Sequence, residues 1–334
     1  MTIDMSPKYF AENVLKDGLR IASFGTGKLL PLVITPETKV PLDTHLDTIR
    51  ELVQQELPIV GGILFRGFDV LGEKPFQAFA KAFGHPLLNY EFASTPRSEV
   101  EQGVYTSTEY PAHQVIPLHN EQSYTLNWPM KIWFHCVVAT AERGETPIAD
   151  SREVYQRISP ELRQRFAEKK LMYVRNYGNG LDLPWQRAFN TDNPELVEQF
   201  CREQNIEFEW TEDGELRTRQ ICQAVAQHPH TLEMVWFNQA HLFHVSNLAP
   251  EVRESLLAIV DEADLPRNVY YGDGSPIEDE ALAEIRAALD ACTVKFLWQA
   301  GDVLMLDNML VAHGRSTFSG PRKVIVAMAE SSTD

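Results

Sequence analysis

The sequence predicts an α+β protein: a β-rich core interrupted by a large, mainly helical insertion. Apolar, β-branched runs gather toward the two ends of the chain, over about residues 58–150 and 290–330, while helical periodicities concentrate between them, over about 151–290. A chain of 334 residues with 44% hydrophobic and 23% charged side chains can bury one elaborated core, so residues 1–334 are read as a single domain.

The elements follow in order. Leu46, Ile49, Leu52, Val53 and Leu57 recur at helical spacing behind Thr44 as N-cap, predicting a helix from Thr44 to Leu57. The run from Pro58 to Phe68 (PIVGGILFRGF) reads as a buried strand, and a short helix is expected near Pro75 to Phe83. Asn89 to Pro117 is polar, aromatic and aperiodic; long irregular segments of this kind are often binding loops. Lys131 to Thr140 is a strand, and Val154 to Phe166 is helical with Pro160 opening its second piece. In the middle, Pro194 to Glu203, Pro250 to Glu262 and Glu278 to Leu289 are helical, while Ile206 to Trp210 and Thr231 to Phe237 are strand-like. Strands return at Thr293 to Trp298, Asp302 to Leu306 and Lys323 to Ala329.

Charge and composition remove several function classes. A formal net charge of −17 opposes any sequence-independent grip on nucleic acid, which needs lysines and arginines on the phosphates. No apolar stretch reaches membrane-spanning length, and the N-terminus MTIDMSPKYFAENVLKDG lacks a signal-peptide core, so a cytoplasmic location is expected. Cys136, Cys201, Cys222 and Cys292 are widely spaced, without a C-x-x-C pair, and are expected to be buried thiols.

The chemistry centres on His119-Asn120-Glu121. On an extended backbone, side chains two apart project to the same side, so His119 and Glu121 can meet one ion. Composition alone yields ~1.4 H-x-D/E matches, and the chain holds two. The other, His45-Leu46-Asp47, falls in the predicted amphipathic helix, where residues two apart diverge by about 200°. His119 follows Pro117 and precedes a strand. The run Gly301-Asp302-Val303-Leu304-Met305-Leu306-Asp307-Asn308, followed by His313-Gly314-Arg315, supplies a strand, a turn and a third candidate ligand, His313. Two histidines and a carboxylate on one face, with three adjacent positions open, is the arrangement of non-haem iron(II) oxygenases.

These motifs, together with Gly320-Pro321-Arg322-Lys323, resemble the TauD/TfdA (taurine dioxygenase) family of Fe(II)/2-oxoglutarate-dependent oxygenases from about Ile59 onward. Tyr105-Thr106-Ser107-Thr108-Glu109-Tyr110-Pro111, His119-Asn120-Glu121-x-Ser123-Tyr124 and Phe237-Asn238-Gln239-Ala240-His241 are most similar to its SyrP-like branch, which oxidises amino acids or their carrier-protein thioesters in natural-product pathways. The resemblance implies a double-stranded β-helix (jelly-roll) core. It implies iron(II) on His119, Glu121 and His313, O2 as oxidant, and 2-oxoglutarate as cosubstrate. The distal carboxylate of the cosubstrate would be held by Arg322 and Thr146, with Lys323 the alternative cation, since neighbours on a strand face opposite sides. Related halogenases lack the metal carboxylate, so Glu121 favours oxygen insertion; desaturation, epoxidation and cyclisation draw on the same chemistry.

For the primary substrate the resemblance points to Arg97 as a carboxylate binder and to Asn238, Gln239 and His241 as polar contacts; His241 and His244 can equally be packed or capping residues. A carrier-protein partner would dock on a basic face, for which Arg163, Arg165, Lys169 and Lys170 are candidates, although such a cluster is more often a solvated helix surface. The contrasting class is a metal-binding jelly roll without turnover.

Overall fold

The computed structural model describes residues 14–25, 28–89, 97–178 and 183–333. Its frame is a nine-stranded major sheet facing a three-stranded minor sheet. From Val104 the chain alternates between them: Val104–Thr106 in the major sheet, Ile116–His119 in the minor, Pro129–Val138 in the major, Ile148–Asp150 in the minor. After the insertion it resumes with Val303–Asp307 in the major, Val311–Arg315 in the minor and Lys323–Ser331 in the major. That alternation makes the frame a double-stranded β-helix.

Strand periodicity divides the core. On Pro129–Val138 and its neighbours, Ile132, Phe134, Leu304, Leu306, Val324 and Val326 pack inside the jelly roll. Trp133, Met305, Ile325 and Ala327 face the other way, against the helices Leu46–Val60 and Glu73–Lys81.

Three N-terminal strands, Val14–Lys16, Leu19–Gly25 and Lys28–Pro36, extend the major sheet, and the last pairs in parallel with Gly62–Phe65. The first helix runs through Pro58 to Val60, which shortens the expected strand to Gly62–Phe65. The cause lies across the fold: Arg152 donates to the carbonyls of Pro58 (3.5 Å) and Ile59 (2.9 Å), covering the helix end. Gly61 then stops the helix in the left-handed region, φ 75°, with its N–H on the Leu57 carbonyl. The helix starts at Leu46 with His45 as N-cap, not Thr44. Thr293 to Trp298 forms only an isolated bridge, Val294 to Ile148, rather than the expected strand.

In the insertion the helix expected at Pro194 to Glu203 forms, the one expected at Pro250 to Glu262 ends at Leu257, and the one expected at Glu278 to Leu289 runs over Asp279–Cys292. It also contains a four-stranded antiparallel sheet in the order Glu207–Trp210, Leu216–Cys222, Leu171–Tyr177, Arg267–Tyr271, and a ribbon of Val225–Gln227 with Met234–Trp236. Its own apolar cluster, including Phe166, Tyr173, Leu216 and Ile285, packs beside the minor sheet at Leu118 and Ala149. All four cysteines are buried thiols outside any disulfide; burial pushes the Cys136 and Cys201 thiols up to about 12 and raises that of Cys222 further. Among the described residues no helix is long and apolar enough to cross a membrane.

Candidate metal centre and active site

The minor sheet sets His313 directly opposite His119 in antiparallel register. Their rings lie 4.6 Å apart, centroid to centroid. Glu121 leaves the end of the same strand and turns back, so that ligand atoms of His119, Glu121 and His313 all fall within 4.8 Å of one another. Phe134, from the major sheet, packs against the His313 ring at 4.9 Å and closes the apolar side.

The donor chemistry fits a divalent metal. His119 donates Nδ1–H to the Pro117 carbonyl at 2.8 Å, which leaves the Nε2 lone pair for an ion. His313 has a buried Nδ1 with no partner among the described residues, and its Nε2 lies 3.8 Å from Glu121 Oε2. Burial lowers both imidazole pKa values, that of His313 strongly, with the neighbouring cationic Arg97 adding to the effect. Neutral imidazoles beside a carboxylate are the protonation states a metal requires.

Glu121 is held at both its backbone and its side chain. Asn308, fully buried, accepts from the Glu121 N–H through Oδ1 (2.8 Å) and donates through Nδ2 to the Glu121 carbonyl (2.9 Å) and the Pro129 carbonyl (2.8 Å). Asn308 is itself set by Asp307, whose Oδ1 accepts from Met309 and Leu310 N–H, both 3.0 Å, and whose Oδ2 meets His228 Nε2 at 3.0 Å. Asn120 donates to the Asn308 carbonyl at 2.7 Å and completes the tie. Arg97 Nη2 binds Glu121 Oε2 at 2.6 Å, with both side chains almost fully buried, leaving Oε1 available to an ion. The Asp-Asn turn is visible in the sequence; its grip on Glu121, 187 positions away, is not.

One cavity connects these groups to the expected cosubstrate residues: Arg97, His119, Thr146, His313, Arg315 and Arg322 all line it. Arg322 is half-buried; its Nε donates to the Gly144 carbonyl (2.9 Å) and its guanidinium lies over the Phe318 ring, 5.5 Å from the centroid. Burial, with Arg315 nearby, pushes its pKa down to about 10, a penalty that a carboxylate in the cavity would relieve. Thr146 Oγ1 accepts from Trp298 Nε1 at 3.1 Å, which leaves its hydroxyl hydrogen to donate. Lys323 points elsewhere, to Glu73 at 2.6 Å. Arg315 is spent on the carbonyls of Thr108, Tyr110, Pro111 and Gln114, so it clamps the loop before the metal strand.

Asn238, Gln239 and His241 are not brought to this cavity's lining. Asn238 donates to the Ala224 carbonyl (2.6 Å), Gln239 to that of Asn120 (2.9 Å), and His241 Nε2 to that of Leu118 (2.7 Å). Gln239 and His241 thus brace the backbone on the two sides of His119, while Asn238 ties its own segment to Ala224. Burial pushes the His241 pKa down to about 4. His244 caps the turn that follows, its Nδ1 accepting from Ser246 N–H. The expected basic face is largely compensated: Arg165 pairs with Glu278 and Lys169 with Asp273, while Arg163 stacks over Tyr155.

The chain matches the family described as "Taurine catabolism dioxygenase TauD, TfdA family" over residues 26–328. It is 43% identical over 270 residues to the dapdiamide synthesis protein DdaC of Enterobacter agglomerans, covering 81% of this chain and 82% of that one. It is 32% identical over 323 residues to a clavaminate synthase-like protein of Arabidopsis thaliana, covering 91% and 94%. Among solved structures it resembles PvcB of Pseudomonas aeruginosa, with a TM-score of 0.53 at 14% identity over 95% of this chain and 93% of the other, a likeness of fold. The chain belongs to the TauD/TfdA family of iron(II)- and 2-oxoglutarate-dependent oxygenases and is an oxidoreductase.

Proposed function

We propose that the enzyme hydroxylates an aliphatic carbon of an amino acid, free or carried as a carrier-protein thioester, in natural-product biosynthesis. The observation that carries the oxygenase reading is the convergence of His119, Glu121 and His313 ligand atoms beside a single cavity whose lining includes His119, His313 and Arg322. The 43% identity to a dapdiamide synthesis protein supports the biosynthetic setting.

His119, Glu121 and His313 would hold iron(II) as two neutral imidazoles and one carboxylate. With 2-oxoglutarate and O2, that iron supplies an oxidant able to act on unactivated C–H bonds. The balance is R–H + 2-oxoglutarate + O2 → R–OH + succinate + CO2. Arg322 would pair with the distal carboxylate of the cosubstrate, and the Thr146 hydroxyl would donate to it. Arg97, on the second oxygen of Glu121, would hold that carboxylate to one-oxygen coordination, and it remains the candidate for a substrate carboxylate. Asn308 fixes the backbone from which Glu121 projects.

The test is succinate release with free amino acids and, separately, with aminoacyl carrier proteins, with product masses recorded. A gain of one oxygen in a substrate-dependent reaction supports hydroxylation; loss of two hydrogens instead would assign desaturation or cyclisation. No substrate-stimulated succinate from either set would overturn the amino-acid assignment.

A further inference from the structure

Besides Thr146, the metal cavity is lined by Ser107, which follows the major-sheet strand Val104–Thr106. Strand register fixes the direction of its side chain. Tyr105 stands opposite Val326 and Thr106 opposite Ile325, and Ser107 continues the ladder at Val324, to whose carbonyl its N–H donates at 3.0 Å. Tyr105, Val324 and Val326 face the interior of the jelly roll, so Ser107, two residues after Tyr105, faces it too. Arg322 lies two residues before Val324 and lines the same cavity.

The backbone around this serine is held on both sides. Its own N–H is on the Val324 carbonyl, and the carbonyl of the next residue, Thr108, accepts from Arg315 Nη1 at 3.2 Å. Ser107 is half-buried, and its hydroxyl has no hydrogen-bond partner among the described residues. A hydroxyl fixed in place and uncommitted is a donor ready for a ligand. The chemistry of that ligand follows from a count of donors. A carboxylate offers about four acceptor sites. Nε of Arg322 is taken by the Gly144 carbonyl, so this arginine can fill two sites through Nη1 and Nη2, and the Thr146 hydroxyl, which already accepts from Trp298, can fill a third. A fourth site left unpaired in a cavity that excludes water costs free energy, and Ser107 is placed to fill it.

We propose that Ser107 is a further cosubstrate-binding residue, whose hydroxyl donates to the distal carboxylate of the 2-oxo acid beside Arg322 and Thr146 and so helps the cavity select a dicarboxylic 2-oxo acid over a monocarboxylic one. The proposal rests on the oxygenase reading, which supplies the cosubstrate. The two hydroxyls reach the carboxylate from opposite sheets: Thr146 from the approach to Ile148–Asp150 in the minor sheet, Ser107 from the end of Val104–Thr106 in the major. Arg315, by holding Thr108, acts on the cosubstrate through the placement of this serine.

The test is calorimetric titration of the full-length protein loaded with manganese(II), so that binding is read without turnover. The probes are 2-oxoglutarate and 2-oxobutyrate, which keeps the keto acid and lacks the distal carboxylate. Ser107→Ala is expected to weaken 2-oxoglutarate binding by about 10-fold and to leave 2-oxobutyrate binding unchanged, and Ser107→Thr, which restores a hydroxyl, to recover most of the loss. Should the alanine variant not fold, Ser107→Cys, close in size and a weak donor, is expected to show the same selective loss. Equal weakening of both keto acids, or an unchanged affinity for 2-oxoglutarate, overturns the proposal. So does a defect confined to the KM for the primary substrate, which would place the hydroxyl on that molecule instead. No binding of 2-oxoglutarate by the unaltered protein would be a failure of the oxygenase reading itself, distinguishable because it appears before any substitution, and the proposal would fall with it.

Discussion

The jelly-roll frame and the insertion solve different problems with the same residue types. In the frame, charged and amide side chains are buried and mutually fixed: Arg97 on Glu121, Asn308 on both backbone groups of Glu121, Asp307 on His228. In the insertion one arginine, Arg175, is buried, but the ion pairs Arg165 with Glu278, Lys169 with Asp273, Arg202 with Glu198 and Arg253 with Asp279 lie toward solvent. Burial makes each frame contact hard to replace, since removing one partner strands the other in a dry site. Exposed pairs are screened and weak. The frame is therefore where chemistry is held to tight geometry.

Several substitutions test that contrast. The largest effect is expected at Arg322: Arg322→Gln should raise the KM for 2-oxoglutarate by about 100-fold through loss of a bidentate charge-assisted pair, while Lys323→Gln should leave it nearly unchanged. Steady-state kinetics on both variants checks this, and equal effects would remove the distinction between the two cations. Next is Asn308→Ala, expected to weaken manganese(II) binding by about 10–100-fold as a positioning defect, seen by titration even where the fold survives. A variant that loses thermal stability but keeps its metal affinity would make Asn308 structural only.

A smaller effect concerns pH. His241 is held neutral, with its pKa pushed from 6.5 to about 4, so below pH 6.5 the unfolded chain binds a proton that the folded one refuses. Stability of the metal-free protein should therefore fall as pH drops from 6.5 toward 4, with this residue contributing a slope of about 1 kcal/mol per pH unit. His241→Asn, which retains a donor for the Leu118 carbonyl, should flatten the fall in denaturant titrations. The smallest effect is in the insertion: Lys169→Ala should cost less than about 1 kcal/mol and leave metal binding unchanged.

Much of the site was legible because its ligands sit in local patterns. An i, i+2 pair after Pro117 needs only an extended backbone to converge, and His313 follows a recognisable strand and turn. Arg322 and Lys323 could not be told apart by pattern, because a shift of one residue exchanges their faces; in the structure Lys323 meets Glu73, whereas Arg322 lines the metal cavity. What stayed hidden depends on partners distant in sequence. Pro58 looked like the start of a strand because the cap on its helix comes from Arg152. The strand Leu171–Tyr177 is stabilised by Leu216–Cys222 and Arg267–Tyr271, neither adjacent to it in sequence, and no local period announces it. Asn238, Gln239 and His241 carried a family-like motif, but their hydrogen bonds go to backbone carbonyls.

The most direct test of the central claim is the absorption spectrum of the protein under anaerobic conditions with iron(II) and 2-oxoglutarate. A visible charge-transfer band from keto acid chelated to iron is predicted, absent in His119→Ala and requiring a higher 2-oxoglutarate concentration in Arg322→Gln. No band in the unaltered protein, or an undiminished band in His119→Ala, would contradict the assignment of His119, Glu121 and His313 as the iron site.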